Sequence, residues 1–102
     1  LGAGADVNGA NKAGTTPLMQ AVSADQPGSV RALLRAGAST DLRDRQGDSA
    51  LTLAARDASP EVVQALLQAG ADAGLRNDNR LNAGDIAESL HRNQVSVLLT
   101  GR

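Results

Sequence analysis

The chain has 102 residues, a length that suits one small domain, and its 10 basic and 11 acidic side chains leave a formal net charge of −1. This balance provides no long-range attraction to nucleic acid or to an anionic membrane. The absence of cysteine and of aromatic residues excludes disulfides and thiolate chemistry and argues against base-stacking surfaces for single strands. No run of about 18 apolar residues is present that could span a bilayer.

One short pattern organises the chain and occurs three times. Residues 34–41 read Leu-Arg-Ala-Gly-Ala-Ser-Thr-Asp, and similar stretches precede and follow them. The glycines of these copies, Gly4, Gly37 and Gly70, recur with a constant 33-residue period. A fixed period of this length indicates a stack of small repeated units, in which each unit needs its neighbours to bury its apolar face.

The first helix of each unit is predicted to begin at a capping residue. Thr16, Ser49 and Asn82 follow the 33-residue period, and each belongs to a residue type that accepts a hydrogen bond at a helix N-terminus. We therefore predict short helices over residues 18–24, 51–57 and 84–90. Residues 1–8 are predicted to be the end of a preceding helix, its glycine stop and an extended segment, so we expect the chain to begin inside a repeat.

A second helix is predicted to follow in each unit. Val30, Leu33 and Leu34 form one apolar helical face, and the same spacing recurs one period later. Ser59-Pro60-Glu61 offers a cap, a first-turn proline and an acid near the positive end of the helix. Gly37 is predicted to end its helix, because glycine readily adopts the left-handed conformation of a helix stop.

The third unit departs from the period. Arg80 stands where the first two units have glycine. Val95, Leu98 and Leu99 match the apolar face of the first unit at a spacing one position shorter than two full periods, which predicts a register slip of one residue. The segment from residue 85 to residue 94 is polar, and terminal repeats need a polar outer face to remain soluble. We therefore predict that this unit is a C-terminal cap.

These residues resemble the ankyrin repeat, whose pattern is Gly-x-Thr-Pro-Leu, an Ala-Ala helix, and Val-Val-x-x-Leu-Leu-x-x-Gly-Ala-Asp. The first full unit matches it at Gly14-Thr15-Thr16-Pro17-Leu18, Ala21, Val30, Leu33, Leu34, Gly37 and Ala38. The second matches at Gly47, Ser49, Leu51, Ala54-Ala55, Val62-Val63, Leu66-Leu67 and Gly70-Ala71-Asp72. The resemblance implies an all-α solenoid of helix-turn-helix units with extended hairpin loops: a preceding tail (1–10), two repeats (11–43 and 44–76) and a cap-like repeat (77–102).

The chain departs from the family pattern at two positions of each unit. Asp25-Gln26 and Ala58-Ser59 replace the usual Gly-His after the first helix. Met19 and Thr52 replace the usual histidine after Thr-Pro-Leu. We therefore expect the hydrogen bonding typical of these positions to be altered and the stability per repeat to lie below the family's best.

The resemblance implies a non-catalytic protein-binding function without cofactor or metal. Ankyrin arrays resemble a cupped hand, in which hairpin fingers and first helices form a concave surface that binds other proteins. The residues that the resemblance places on this surface are Lys12, Thr15, Arg43, Arg45, Gln46, Asp48, Arg56, Asp57, Arg76, Asp78, Asn79 and Leu81. Ala10, Ala13, Ser23, Ala24, Ser89 and Leu90 occupy further positions of the same surface.

Arginines are concentrated around the second unit, at positions 43, 45, 56, 76 and 80. Because guanidinium groups bind carboxylates in bidentate pairs, we expect a partner protein with an acidic segment. The alternative is a solvated charged face, since five aspartates lie among these arginines and exposed pairs contribute about 0–1 kcal/mol each. Leu81 is a candidate anchor because its counterparts are polar, whereas Leu42 and Leu75 are expected to pack beneath the next finger.

Other functions receive less support from the sequence. His91 is the only histidine and no cysteine is present, so neither a zinc site nor a Ser-His-Asp triad can readily be assembled. The chain is alternatively a regulatory or assembly region of a larger enzyme or channel. We expect a monomer, with self-association through apolar edges around Leu18, Val30 and Leu33 as the alternative. Cytosol or nucleus is favoured, and a bacterial periplasm is compatible with the composition.

Overall fold

The computed structural model describes residues 7–100, which contain six helices and no strand. The helices are α1 (Pro17–Ser23), α2 (Pro27–Arg35), α3 (Ala50–Asp57), α4 (Pro60–Gln68), α5 (Ala83–Ser89) and α6 (Asn93–Thr100). The predicted all-α repeat fold is confirmed, and each first helix begins one residue earlier than predicted. The prediction of a preceding helix end and its glycine stop concerns residues 1–6, which lie outside the described residues.

The spacing of the helices is constant. First helices begin at Pro17, Ala50 and Ala83 and second helices at Pro27, Pro60 and Asn93, so both sets keep the 33-residue period. The predicted register slip in the third unit is therefore wrong. Val95 is buried at the position of Val62, whereas Leu98 is exposed. The apolar spacing was misleading because α6 carries additional apolar residues on its exposed side.

The first helices begin at the predicted caps. The side chains of Thr16, Ser49 and Asn82 accept hydrogen bonds from the backbone N–H three residues later, at 3.2, 3.4 and 2.8 Å. In α1, the sulfur of Met19 accepts a bond from the Thr16 N–H at 3.4 Å. In α3, the Thr52 hydroxyl donates to the Ser49 carbonyl at 2.9 Å. Met19 therefore completes the cap of α1, whereas Thr52 adds a side-chain bond to the carbonyl of the cap residue in α3.

The second helices α2 and α4 end at the predicted glycines, and α4 begins after the predicted cap residue Ser59. Gly37 and Gly70 have φ angles of +92° and +91°, and the N–H of Ala38 donates to the Leu33 carbonyl at 3.0 Å, which closes α2. Ser59 occupies the cap position of α4, but its side chain makes no capping bond. Its hydroxyl is buried and has no hydrogen-bond partner among residues 7–100. The predicted cap residue, first-turn proline and first-turn acid of α4 are therefore present, but Ser59 caps the helix without a side-chain hydrogen bond.

The core lies between two layers of helices. The first helices α1, α3 and α5 pack in sequence as one layer, α2, α4 and α6 form the other, and each pair packs within its own unit. Leu51, Val62 and Leu66 are at most 1% exposed. Leu18 and Val30 are also buried and Leu33 is half-buried, so the expectation of uncovered apolar edges at Leu18 and Val30 is wrong.

A long-range contact from Arg92 completes the end of α3. The residue after α3, Ala58, is extended, whereas Asp25 and His91 at the equivalent places have φ angles of +50° and +57°. The last carbonyls of α3 therefore need other partners. The Arg92 guanidinium donates to the carbonyls of Ala54 and Ala55 at 3.0 and 2.9 Å, and also to that of Ala58.

We predict that Arg92→Ala lowers the free energy of unfolding by about 1–3 kcal/mol, because it leaves partly buried helix carbonyls without their charged donor. Arg43→Ala is the matched control, since Arg43 is exposed and makes no ion pair with any residue from 7 to 100. We expect that control to change stability by less than about 0.5 kcal/mol. Urea unfolding measures both values, and equal losses would contradict the role of Arg92.

Candidate functional site

Three hairpin loops, here called finger 1 (residues 8–16), finger 2 (41–49) and finger 3 (74–82), precede the first helices. One amide or carboxylate side chain builds each turn, at Asn11, Asp44 and Asn77. Its Oδ1 accepts the backbone N–H groups two and four residues later, at 2.9–3.1 Å. This turn residue was not among the predicted functional or structural positions, although Asn11, Asp44 and Asn77 recur with the 33-residue period in the sequence.

Adjacent fingers are joined near their tips. The backbone N–H of Arg45 donates to the Ala13 carbonyl at 3.1 Å, and the N–H of Asp78 donates to the Gln46 carbonyl at 3.0 Å. Gly47 lies at the second of these contacts with a φ angle of +77°. A Cβ added there would lie 2.9 Å from the backbone nitrogen of Asp78. Glycine is therefore required both for the turn and for the close approach of the next finger.

The third unit lacks two of the features that join the first two units to their neighbours. Asn8 and Asp41 accept backbone N–H groups of the following unit at 2.7 and 3.2 Å, but Gly74 stands at this position in finger 3. Arg80 replaces the tip glycine and keeps its left-handed conformation, with a φ angle of +65°. A further finger stacked in the same geometry would meet the Cβ of Arg80. These differences support the prediction of a C-terminal cap, which stays a prediction.

Most of the predicted surface residues are exposed. Lys12, Arg43, Arg45, Gln46, Arg56, Asp57, Arg76, Asp78, Asn79 and Leu81 are exposed, as are Ala10, Ala13, Ser23, Ala24, Ser89 and Leu90. Thr15 is half-buried. The predicted packing of Leu42 beneath the next finger is wrong because its side chain is exposed, and Leu75 is half-buried.

Asp48 was predicted to face a partner, but this prediction is wrong because its side chain is only 5% exposed. Its Oδ1 accepts a hydrogen bond from the side-chain amide of Asn77 at 3.0 Å. Its Oδ2 pairs with the Arg56 guanidinium at 3.5 Å. Asp48 therefore links finger 2 to finger 3 and positions Arg56, which the sequence could not show because Asn77 belongs to the next unit.

The arginine cluster divides into paired and unpaired members. Arg76 pairs with Asp85 at 3.0 Å and donates to the Arg80 carbonyl at 2.8 Å, while Arg56 pairs with Asp48. The exposed guanidinium groups of Arg43 and Arg45 make no ion pair with residues 7–100. Finger 2 also contains Asp41, Asp44 and Asp48, so its net charge is not positive, and only the two guanidinium groups themselves offer contacts to an anionic group.

A groove joins the second and third units on the same surface. Its lining residues are Arg56 of α3, Leu81 of finger 3, Ile86 and Ser89 of α5, and Leu90 directly after α5. The groove has a volume of about 200 Å³. Leu81 is 39% exposed and Leu90 is 50% exposed, whereas Ile86 is buried. The structure thus brings four residues of the predicted surface, Arg56, Leu81, Ser89 and Leu90, to one depression.

Metal-binding clusters and membrane-spanning helices are absent from the described residues 7–100. Residues 7–100 contain no group of three or more His, Asp or Glu side chains placed to hold a metal ion. His91 is exposed and lies in the left-handed turn after α5. Within the same range, every helix is too short and too polar to cross a membrane.

Residues 1–77 match a family model described as ankyrin repeats in three copies. This match covers the first two helix pairs and ends within finger 3. The third helix pair, α5 and α6, lies beyond it but keeps the same 33-residue spacing. No curated protein matches the chain.

We predict that Gly47→Ala destabilises the protein more than Gly37→Ala does. Both glycines are left-handed, with φ angles of +77° and +92°, and an alanine in that conformation costs about 1–2 kcal/mol. A Cβ on Gly37 meets no atom within 4 Å, whereas one on Gly47 meets the backbone of Asp78. Steric overlap adds about 1 kcal/mol or more. Equal losses in chemical unfolding would show that the fingers do not pack this closely.

We predict that Asp48→Ala lowers the free energy of unfolding by about 1–3 kcal/mol, because it leaves the buried amide of Asn77 without its acceptor. Thr15→Ala is the matched control in finger 1, because Thr15 occupies the same position and its hydroxyl makes no hydrogen bond within residues 7–100. That control should change stability by less than about 0.5 kcal/mol. A loss no larger than that of the control would contradict the structural role of Asp48.

Proposed function

Because the chain belongs to the ankyrin-repeat family, we propose that it is a non-catalytic module that binds a partner protein across fingers 2 and 3 and the adjoining first helices. Ankyrin repeats are generally protein–protein interaction modules. The proposal concerns where the partner is held and what chemistry it presents. Its main support is the contrast between residues that follow the 33-residue period and residues that depart from it.

Residues that follow the 33-residue period have structural roles in the fold. The helix caps and the turn residues use their side chains for local hydrogen bonds, and the apolar helix faces are buried. Equivalent positions at the finger tips and helix ends vary instead: Lys12, Arg45 and Asp78 form one such set, and Ala24, Asp57 and Leu90 form another. All six are exposed. Exposed positions that vary between the units, on a scaffold that is the same in each unit, are suited to recognition.

Two guanidinium groups on finger 2, and not the net charge of this loop, support an acidic partner segment. Arg43 and Arg45 are exposed and have no ion pair within residues 7–100. Guanidinium groups bind carboxylates in a planar, bidentate geometry that an ammonium group cannot reproduce. Because the net charge of the chain is only −1, this preference acts locally at the fingers and does not attract polyanions over long distances.

The alternative is that the chain is a regulatory or assembly region of a larger enzyme or channel. One observation favours additional protein at its N-terminal side. Ser29, Ala32, Leu33 and Ala36 line an open depression on α2, and the equivalent positions one period later include Ala65 and Leu66 of α4, which packs against α2. The depression therefore has the position of a contact between repeats. The sequence of the complete reading frame tests this alternative.

We predict that a partner captured by the wild-type protein binds Arg45→Glu and Arg56→Glu about tenfold more weakly or worse, because a charge reversal replaces an attraction by a repulsion. Arg35→Glu is the matched control, with the same change of charge on the exposed side of α2. Circular dichroism establishes that each variant is folded, and titration calorimetry with the purified partner measures affinity. The binding site would have to lie elsewhere if Arg45→Glu and Arg56→Glu both bound the partner with wild-type affinity, or if the Arg35→Glu control lost as much affinity as they did.

A further inference from the structure

We propose that the groove lined by Arg56, Leu81, Ile86, Ser89 and Leu90, here called the Leu81–Leu90 groove, binds one aliphatic side chain and a neighbouring carboxylate of an acidic partner segment. This inference rests on the proposed function, since it places the partner on the same surface. It goes further by stating which side chains the partner must present. In this groove, two exposed leucines and an arginine meet on the predicted binding surface.

Leu81 and Leu90, the two leucines at the rim of the groove, have no leucine at the equivalent positions of the preceding units. Thr15 and Asp48 occupy the position of Leu81 in the preceding units, and Ala24 and Asp57 occupy that of Leu90. The equivalent depression between the first two units would therefore be lined by polar or small side chains at these positions. The repeat architecture does not require leucine there, because the first two units form the same elements without it.

The leucines also contribute little to the core. Leu81 and Leu90 are 39% and 50% exposed, and neither belongs to the buried cluster or to the partly buried residues packed against it. Ile86 is buried and forms the apolar base of the groove. At about 200 Å³ the groove is smaller than the usual sites for drug-sized ligands, which range over about 300–1,000 Å³. Its dimensions suit a single aliphatic side chain of a peptide segment.

Charge complementarity indicates that the group beside the partner's aliphatic side chain is a carboxylate. Arg56 is the only charged residue in the lining of the groove, and its side chain is 41% exposed. A guanidinium group has five N–H donors, and Arg56 makes a single described contact, at 3.5 Å, to Asp48. The other Asp48 oxygen is occupied by Asn77. Asp48 therefore orients Arg56 while leaving donors for a carboxylate, and a cationic segment would be repelled.

Selection from a random dodecapeptide display library on the wild-type protein tests this proposal, with counter-selection on Leu81→Thr/Leu90→Ala. This double variant carries the residues of the first unit at both positions, so the scaffold is known to accommodate them. We expect enriched peptides with Leu, Ile or Met within four residues of Asp or Glu. Their affinity should fall about tenfold or more in the double variant, as is common when a buried anchor is lost.

The carboxylate is tested separately with the selected peptide and a version in which its acid is replaced by the amide. Arg56→Gln should weaken binding of the acidic peptide at least about fivefold and leave the amide peptide nearly unchanged, whereas Arg35→Gln, on the exposed side of α2, should affect neither. Enriched peptides that are basic or lack an acid would overturn the proposal. Equal affinity for the wild type and the double variant would overturn it as well.

The same variants separate this inference from the proposed function. If Arg45→Glu loses the captured protein partner while Leu81→Thr/Leu90→Ala retains it in full, the groove proposal fails and the finger surface stands. If the double variant and Arg56→Glu lose the partner while Arg45→Glu retains it, the assignment to finger 2 fails and the groove remains the contact. Loss with both kinds of variant, together with the expected peptides, supports both proposals, whereas retention of the partner by Arg56→Glu overturns the carboxylate contact of the groove.

Discussion

The whole structure depends on the inability of one 33-residue unit to bury its own apolar face. Two short helices form one side of a core, and the neighbouring unit must supply the other. The units therefore stack side by side, and α1, α3 and α5 pack as one layer while α2, α4 and α6 form the second. Small side chains such as Ala54 and Ala87, both fully buried, allow these short helices to approach closely.

Polar contacts convert this apolar stacking into a defined register. Backbone bonds between finger tips, and the side chains of Asn8 and Asp41, repeat with the period of the helices. Where the period is broken, other residues supply the missing bond, as Arg92 does for the carbonyls at the end of α3. Buried backbone groups of this kind require partners, and at the end of α3 a residue of the following unit provides the donor.

The fold and the proposed binding site share contacts at the boundary between the second and third units. Asp48 connects finger 2 to Asn77 of finger 3 and also contacts Arg56, which borders the Leu81–Leu90 groove. A change at Asp48 would therefore alter both stability and the orientation of Arg56 in the proposed site. Arg43 and Arg45 are different, since they are exposed and make no ion pair with the described residues. Substitutions there should report on binding with little effect on folding.

The sequence by itself determined the repeat architecture, because its caps, glycine stops and apolar positions act within a few residues and recur with a constant period. The resemblance to the ankyrin repeat also predicted the exposure of Arg45, Arg56 and Leu81. The tertiary structure decided what depends on contacts between units: the burial of Asp48 by Asn77, the donation from Arg92 to α3, and the register of α6. Periodicity could not resolve that register, since α6 has apolar residues on two sides, and only packing against α4 distinguishes the buried Val95 from the exposed Leu98.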